Sequence, residues 1–254
     1  MDSSVDGSSP KEQLTVLLPV YNEVDSIEPV LRELKEKVAT PHRARFLVCE
    51  DGSTDGTTDL LERLAPEVDF ALESHADRRG YAGAVRNGLG LAHSPLVFFS
   101  DSDGQYDPSD FESLWQEIAG CDMVIGRKVS RQESFYRGLL SWGYHVLIKA
   151  FASVPLQDVD CGFRLVRREV IDAVLPKVHH LRYSFWAEFT IIAYREGFRI
   201  RQVPITHRAR LHGSSTIYAW NRLPRILVLQ VVGLLRLARQ LNQASIRAAR
   251  ATSP

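Results

Sequence analysis

A chain of 254 residues, 44% hydrophobic and 24% charged, can bury a sizeable core, which excludes a wholly disordered protein and favours one α/β domain with a C-terminal extension over two independent domains. The formal charge is zero, but residues 195–254 hold eleven Arg against one acid, Glu196, so this stretch is +10 and the remainder −10; it asks for an anionic partner, whether nucleic acid, an acidic membrane surface or an anionic substrate. Three cysteines, Cys49, Cys121 and Cys161, odd in number and far apart, argue against a disulfide framework and, with no signal-peptide pattern, for a reduced cytosolic compartment.

Residues 1–12 are mostly Ser, Asp and Gly with little apolar content, and are expected to be a disordered tail. Leu14 to Val20 reads as a first strand, and Tyr21-Asn22-Glu23 turns the chain into an amphipathic helix from about Val24 to Val38. Phe46 to Cys49 reads as a second strand ending in Glu50-Asp51-Gly52-Ser53-Thr54-Asp55-Gly56, where Asp55 or Thr57 can cap the next helix. A carboxylate there could accept hydrogen bonds from a nucleotide base, or the segment is a plain turn. Val68 to Leu72 is a short third strand. Arg78-Arg79-Gly80-Tyr81-Ala82-Gly83-Ala84 then leads into a helix through about Ala92, and its N-terminus suits a diphosphate or simple helix packing equally well.

Pro95 to Phe99 is a buried strand from which Asp101-Ser102-Asp103-Gly104-Gln105 emerges. A helix from about Ser109 to Ala119 and a strand at Met123-Val124-Ile125, ending in Gly126-Arg127-Lys128, complete an α/β alternation that predicts a mostly parallel, doubly wound sheet flanked by helices. Phe135 to Phe151 is too apolar for a surface helix and shorter than the roughly 20 apolar residues a bilayer requires. Asp158 and Asp160 precede a Gly turn, and a helix around Phe185 to Arg195 places Glu188 beside Trp186, where a carboxylate needs a partner or a function. Arg199 to Ile205 reads as an edge strand, followed by His207, Arg208, Arg210, His212 and Gly213 to Thr216, a loop suited to phosphate or merely exposed.

In the tail, residues 221–250 wound as a helix bring Arg222, Arg225, Arg236, Arg239, Arg247 and Arg250 within an arc of about 100°, while Leu227, Val231 and Leu234 face away from it. Such a helix can lie in an anionic membrane interface. It can equally pack on its own domain, a membrane partner subunit or a second copy of the chain.

The chemistry centres on Asp101, Asp103 and Gln105. Two carboxylates two residues apart, followed by an amide at a strand's C-terminal end, suit a hard divalent cation that shares its oxygen ligands with a phosphate; a polar strand-to-helix turn is the alternative.

Pro19-Val20-Tyr21-Asn22-Glu23, then Glu50 to Gly56, then Asp101 to Gln105 resemble, in that order, the family-2 glycosyltransferases of the GT-A fold. Within that family, Asp158 to Leu165 and the ending Val203-Pro204-Ile205 followed by Arg210-Leu211-His212-Gly213-Ser214-Ser215 look like the polyprenyl-phosphate sugar transferases, such as the dolichol-phosphate mannose and glucose synthases. The resemblance covers roughly residues 13–216, leaving 217–247 as the amphipathic basic helix and 248–254 as a tail. It implies that Pro19, Tyr21, Glu23, Asp51, Gly80, Asp101 and Ser102 line the nucleotide pocket. Asp101, Asp103 and Gln105 would hold Mg²⁺ or Mn²⁺, and Arg127, Arg131 and Arg210 would contact phosphates, with Arg137 a rival to Arg131. Asp103 and Arg210 would serve the reaction, Asp158 would stand near the acceptor with Asp160 as its rival, and Glu188 would lie on the acceptor side.

What the resemblance implies is an inverting, metal-dependent transfer of a hexose from a GDP- or UDP-linked sugar to a polyprenyl phosphate, at the inner face of the cytoplasmic membrane and without a nucleic-acid partner. A hydroxyl acceptor is the alternative. The Gln-x-x-Arg-Trp element of processive synthases is missing, as is a Gly-rich loop with Lys or Arg after the first strand, which a nucleotidyltransferase would need. No C-terminal transmembrane pair follows, so the Arg-striped helix is expected to be the membrane attachment.

Overall fold

The computed structural model describes residues 13–129, 155–208 and 223–251. Arg131, Arg137, Arg210, the apolar run 135–151 and the Gly213 to Thr216 loop lie outside the described residues.

Seven strands form one sheet: β1 (Leu14–Val20), β2 (Arg45–Asp51), β3 (Ala71–His75), β4 (Leu96–Ser100), β5 (Met123–Lys128), β6 (Phe163–Arg167) and β7 (Ile200–Ile205), in the order β3-β2-β1-β4-β6-β5-β7. All are parallel except β6, which runs antiparallel to both β4 and β5. All seven residues of β1 are buried, as a central strand covered on both faces requires. In the ladder Leu17 stands between Leu47 of β2 and Phe99 of β4. As expected, β7 closes the sheet at its edge.

The helices cover the faces because their apolar residues recur at helical spacing. In α1 (Ile27–Leu34) the buried residues are Ile27, Val30, Leu31 and Leu34, and the helix runs on into a wider turn at Lys35–Ala39. In α2 (Thr57–Val68) they are Thr57, Leu61, Leu64 and Val68. That last residue explains a correction: Val68 is the final core contact of α2, Asp69 ends the helix in a left-handed conformation, and the third strand begins only at Ala71. Next come α3 (Tyr81–Leu91) and α4 (Phe111–Glu117), the latter preceded by a single tight turn in which Asp107 accepts the Ser109 N–H at 2.9 Å. Two elements were not expected from the sequence, β6 and the helix after it, α5 (Arg168–Val174).

The helix α6 (Phe185–Arg195) has the expected bounds and is buried from Phe185 through Ala193. The long α7 (Leu223–Ala251) touches it and buries Ile226, Gln230, Leu234, Leu237 and Leu241 against the domain. Gly233 lets α7 approach the 178–181 loop, because a Cβ there would run into the His180 carbonyl. Leu234 therefore faces the domain, whereas Val231 is exposed.

Candidate active site

From β1 the chain first builds outward to β2 and β3, then returns to lay β4 on the other side of β1, so the loops leaving β1 and β4 diverge. A crevice at such a reversal, beyond the carboxyl ends of the strands, is where open α/β sheets bind ligands. Tyr21, Asn22 and Glu23 leave β1 there, Glu50 and Asp51 end β2, and Asp101 to Gln105 leave β4.

On the β1–β2 side the polar groups hold one another. Asp51 is buried and its Oδ1 accepts the Arg79 N–H at 2.7 Å. Burial alone would raise the Glu50 carboxyl, but the Ser53 N–H at 2.5 Å, the Ser74 hydroxyl at 2.9 Å and further donors bring it below its ordinary value. Asn22, at φ 52°, donates its backbone N–H to Ser53 Oγ at 2.9 Å and accepts the Thr54 N–H at 2.8 Å. Glu23 accepts the Ser26 hydroxyl at 2.5 Å, while its N–H donates to Thr57 Oγ1 at 2.9 Å. Pro19 is buried in β1 opposite Cys49, and Gly80 precedes α3 with open space around it. The Arg78 guanidinium lies 3.7 Å above the Tyr21 ring, while the Arg79 guanidinium bonds Asn87 at 3.2 Å. Of the two arginines expected at the α3 N-terminus, Arg78 thus lies over Tyr21 and Arg79 braces its own helix.

The β4 side is built differently. The Asp101 N–H donates to the Gly162 carbonyl at 3.1 Å, and its Oδ1 accepts the Tyr81 hydroxyl at 2.8 Å. Its other oxygen lies so close over Gly162 that any Cβ there would overlap it, which explains the glycine before β6. Ser102 is buried in the same loop. Asp103 Oδ1 accepts the Gln105 N–H at 3.2 Å, and the Gln105 carbonyl accepts the Arg208 N–H at 2.7 Å.

Asp101 feels the charges of Asp103 and Asp160, and Asp160 that of Asp158. Burial pushes the Asp101 carboxyl up to about 7, the negative charge of Asp103 adds to this, and the Tyr81 hydroxyl and Lys128 oppose it. Asp160 is pushed up to about 6, again first by burial; Arg164, the Ala187 N–H at 3.1 Å and Ser184 oppose, while Asp158 adds to the rise. Asp158 itself is buried at the β7 side, where its carbonyl accepts from Gln202 Nε2 at 3.1 Å.

Crowded carboxylates beside an amide are a donor set for a hard cation. Among the described residues no three His, Cys, Asp or Glu side chains converge as a complete metal site. Asp101, Asp103 and Gln105 place two carboxylates and an amide on the one loop that leaves β4, oxygen donors of the kind a hard cation takes.

Three expected residues are placed otherwise. Glu188 accepts the backbone N–H groups of His179 at 2.7 Å, His180 at 2.8 Å and Leu181 at 2.6 Å, so both of its oxygens tie the 178–181 loop to α6. Arg208, expected in a phosphate loop, pairs with Glu33 at 2.9 Å and Asp107 at 2.6 Å. Lys128, whose ammonium lies 5.7 Å from the Tyr106 ring and which acts on Asp101, faces the acid cluster; alternation along β5 turns the neighbouring Arg127 to the other side.

Two residues missed from the sequence complete the floor. Arg164 is fully buried, donating to the Cys161 carbonyl at 3.0 Å and to Thr190 Oγ1 at 3.1 Å, with its guanidinium 4.0 Å from the Trp186 ring. An arginine in the apolar run Phe163 to Val166 was the available signal. Tyr81 carried none, since its partners are 20 and 105 residues away.

Residues 15–175 match the model of glycosyl transferase family 2. The dolichyl-phosphate beta-glucosyltransferase of Saccharomyces cerevisiae is 29% identical over 76% of this chain and 66% of its own length. The dodecaprenyl-phosphate galacturonate synthase of Rhizobium johnstonii is 29% identical over 85% of this chain and 64% of its own. The chain thus spans a little under two thirds of these relatives. In fold it is similar to the glucosyl-3-phosphoglycerate synthase of Mycobacterium tuberculosis solved with Mg²⁺ and UDP, at a TM-score of 0.68 and 19% identity over 89% of this chain and 79% of that one, a GT-A architecture.

Proposed function

We propose, from the premise that this chain belongs to glycosyl transferase family 2, that it transfers a hexose from a nucleotide sugar to a polyprenyl phosphate with inversion at the anomeric carbon. The donor's nucleoside lies along Tyr21, Arg78, Glu23, Asp51 and Gly80, with Pro19 and Ser102 behind them. Asp101, Asp103 and Gln105 hold Mg²⁺ or Mn²⁺, which when bound neutralises charge on the departing diphosphate. Lys128, and with it Arg131 and Arg210, balances the remaining phosphate charge. Asp158 and Asp160 border the acceptor. A lipid monophosphate is already an anionic nucleophile at neutral pH, so no base is needed to deprotonate it.

The observation that carries the lipid acceptor is the position of α7. Gln230 donates to Ser184 Oγ at 2.8 Å, and Ser184 in turn bonds Asp160, so the helix stands one residue from the acid cluster. On its outer side Val228 (63% exposed), Leu229, Val231, Val232 and Leu235 are uncovered, next to exposed Arg236 and Arg239. No helix among the described residues is long and apolar enough to cross a membrane. An uncovered apolar face bordered by arginines suits the interface of an anionic bilayer, at about 1 kcal/mol per basic residue. There it would set the crevice beside the lipid phosphates at the cytoplasmic face. The solvated alternative, an α7 packed entirely on its own domain, leaves that apolar face unexplained.

Purified protein incubated with Mn²⁺, radiolabelled GDP-mannose or UDP-glucose, and undecaprenyl phosphate in detergent is expected to yield lipid-extractable label that requires the metal. Label found only in water-soluble products would overturn the lipid acceptor and favour a hydroxyl compound.

A further inference from the structure

Trp186 is wholly buried on α6, packed against Phe99 at 4.6 Å and Phe189 at 5.4 Å, and its indole Nε1–H points out of this apolar cluster to the Tyr81 hydroxyl at 3.1 Å. An indole N–H can only donate. The Tyr81 oxygen must therefore accept it, and its single proton is directed to Asp101 Oδ1, 2.8 Å away. On the opposite side Asp101 Oδ2 is closed in by Gly162, where there is no room for a Cβ, and the Asp101 backbone is tied to the Gly162 carbonyl. The carboxylate is thus held from two sides, by a hydrogen bond of fixed direction and by backbone contact.

We propose that Tyr81 is a positioning residue for the divalent cation: its hydroxyl, oriented by Trp186, fixes the Asp101 carboxylate in the orientation in which it receives the ion. This rests on the assignment of Asp101 as a ligand. The geometry favours it over simple packing, because the Tyr81 side chain is 39% exposed and sits at the first turn of α3, where an aromatic ring contributes little to the core. Groups that orient a ligand through one hydrogen bond typically change metal affinity by about 10- to 100-fold when removed. The chain Trp186–Tyr81–Asp101 also joins α6, α3 and the β4 loop, so the acceptor-side helix and the cation share one hydrogen-bonded support.

The test is Mn²⁺ binding by the full chain, read from the electron paramagnetic resonance signal of free Mn²⁺, with and without UDP. Tyr81→Phe, which removes the hydroxyl shared by Trp186 and Asp101, is expected to weaken Mn²⁺ binding by about 10-fold or more, with a modestly lowered melting temperature because the buried Trp186 N–H loses its acceptor. Trp186→Phe should weaken it by a smaller factor, since the tyrosine is retained but less well oriented. Asp101→Asn sets the reference for loss of a ligand. Wild-type Mn²⁺ affinity in Tyr81→Phe, with affinity lost in Asp101→Asn, would overturn the positioning role and leave the cation site standing. Wild-type affinity in Asp101→Asn as well would overturn both.

Discussion

Glu50, at the end of β2, and Asp101, just beyond β4, are both carboxylates drawn out of water, yet the first is held below its ordinary value and the second is pushed up to about 7. Burial acts upward on each. Around Glu50 the surrounding donors outweigh it, namely Ser53, Ser74 and the Gly52 backbone; around Asp101 a second acid, Asp103, reinforces it. On the β1–β2 side the acids are met by donors, those of Ser53, Ser74 and Arg79. The β4 side carries surplus negative charge that a cation would relieve. Glu188 sharpens the point, because it lies on α6 beside the Asp160 contact to Ala187 yet has three backbone donors of its own. The supply of donors, not the region, decides how an acid behaves.

The contrast is broken most strongly at Asp103. Asp103→Ala is expected to lower sugar transfer by about 10²- to 10³-fold, as loss of a group stabilising transition-state charge does, while changing urea stability little, because the lost bond to the Gln105 N–H is offset by relief of the repulsion with Asp101. Glu188→Gln should do the reverse, costing about 2–3 kcal/mol in urea denaturation because a neutral amide replaces a charged acceptor of three N–H groups. Glu50→Gln should cost about 1–2 kcal/mol at pH 7 for the same reason. Its sign against pH is fixed: a carboxyl lowered in the folded state stabilises above its unfolded value near about 4.3 and loses that contribution as pH falls through the folded value. The gap between Glu50→Gln and wild type should therefore narrow in acid.

Asp160, raised to about 6, has the opposite sign. The folded protein binds more protons there than the unfolded chain between about pH 4 and 6, so its contribution falls as pH rises through that window. Melting temperatures of Asp160→Asn against wild type should show the difference widening in favour of the variant over that range. The smallest effect is expected at the outer surface, where Leu235→Ser should weaken binding to anionic vesicles by about tenfold and leave urea stability unchanged.

Much of this was legible in one dimension. The apolar runs Leu14 to Val20 and Phe46 to Cys49, the helix Phe185 to Arg195 and the basic tail helix follow from spacing, because the repeat of a strand or helix is set by backbone geometry within the segment. So does the emergence of Asp101, Asp103 and Gln105 at a strand's carboxyl end. The Val68 boundary was misread because one apolar residue can finish a helix or start a strand, and only its packing against the sheet chooses. The partners of the polar groups were beyond reach in the same way. Glu188 bonding the 178–181 loop, Arg208 pairing with Glu33 across 175 residues, Arg164 under Trp186, and Tyr81 between Trp186 and Asp101 are decided when elements pack. A sequence determines which groups are costly to bury; which neighbour meets that cost depends on the layering of the sheet and helices, since hydrogen bonds act over about 3 Å and chain distance carries no information at that scale.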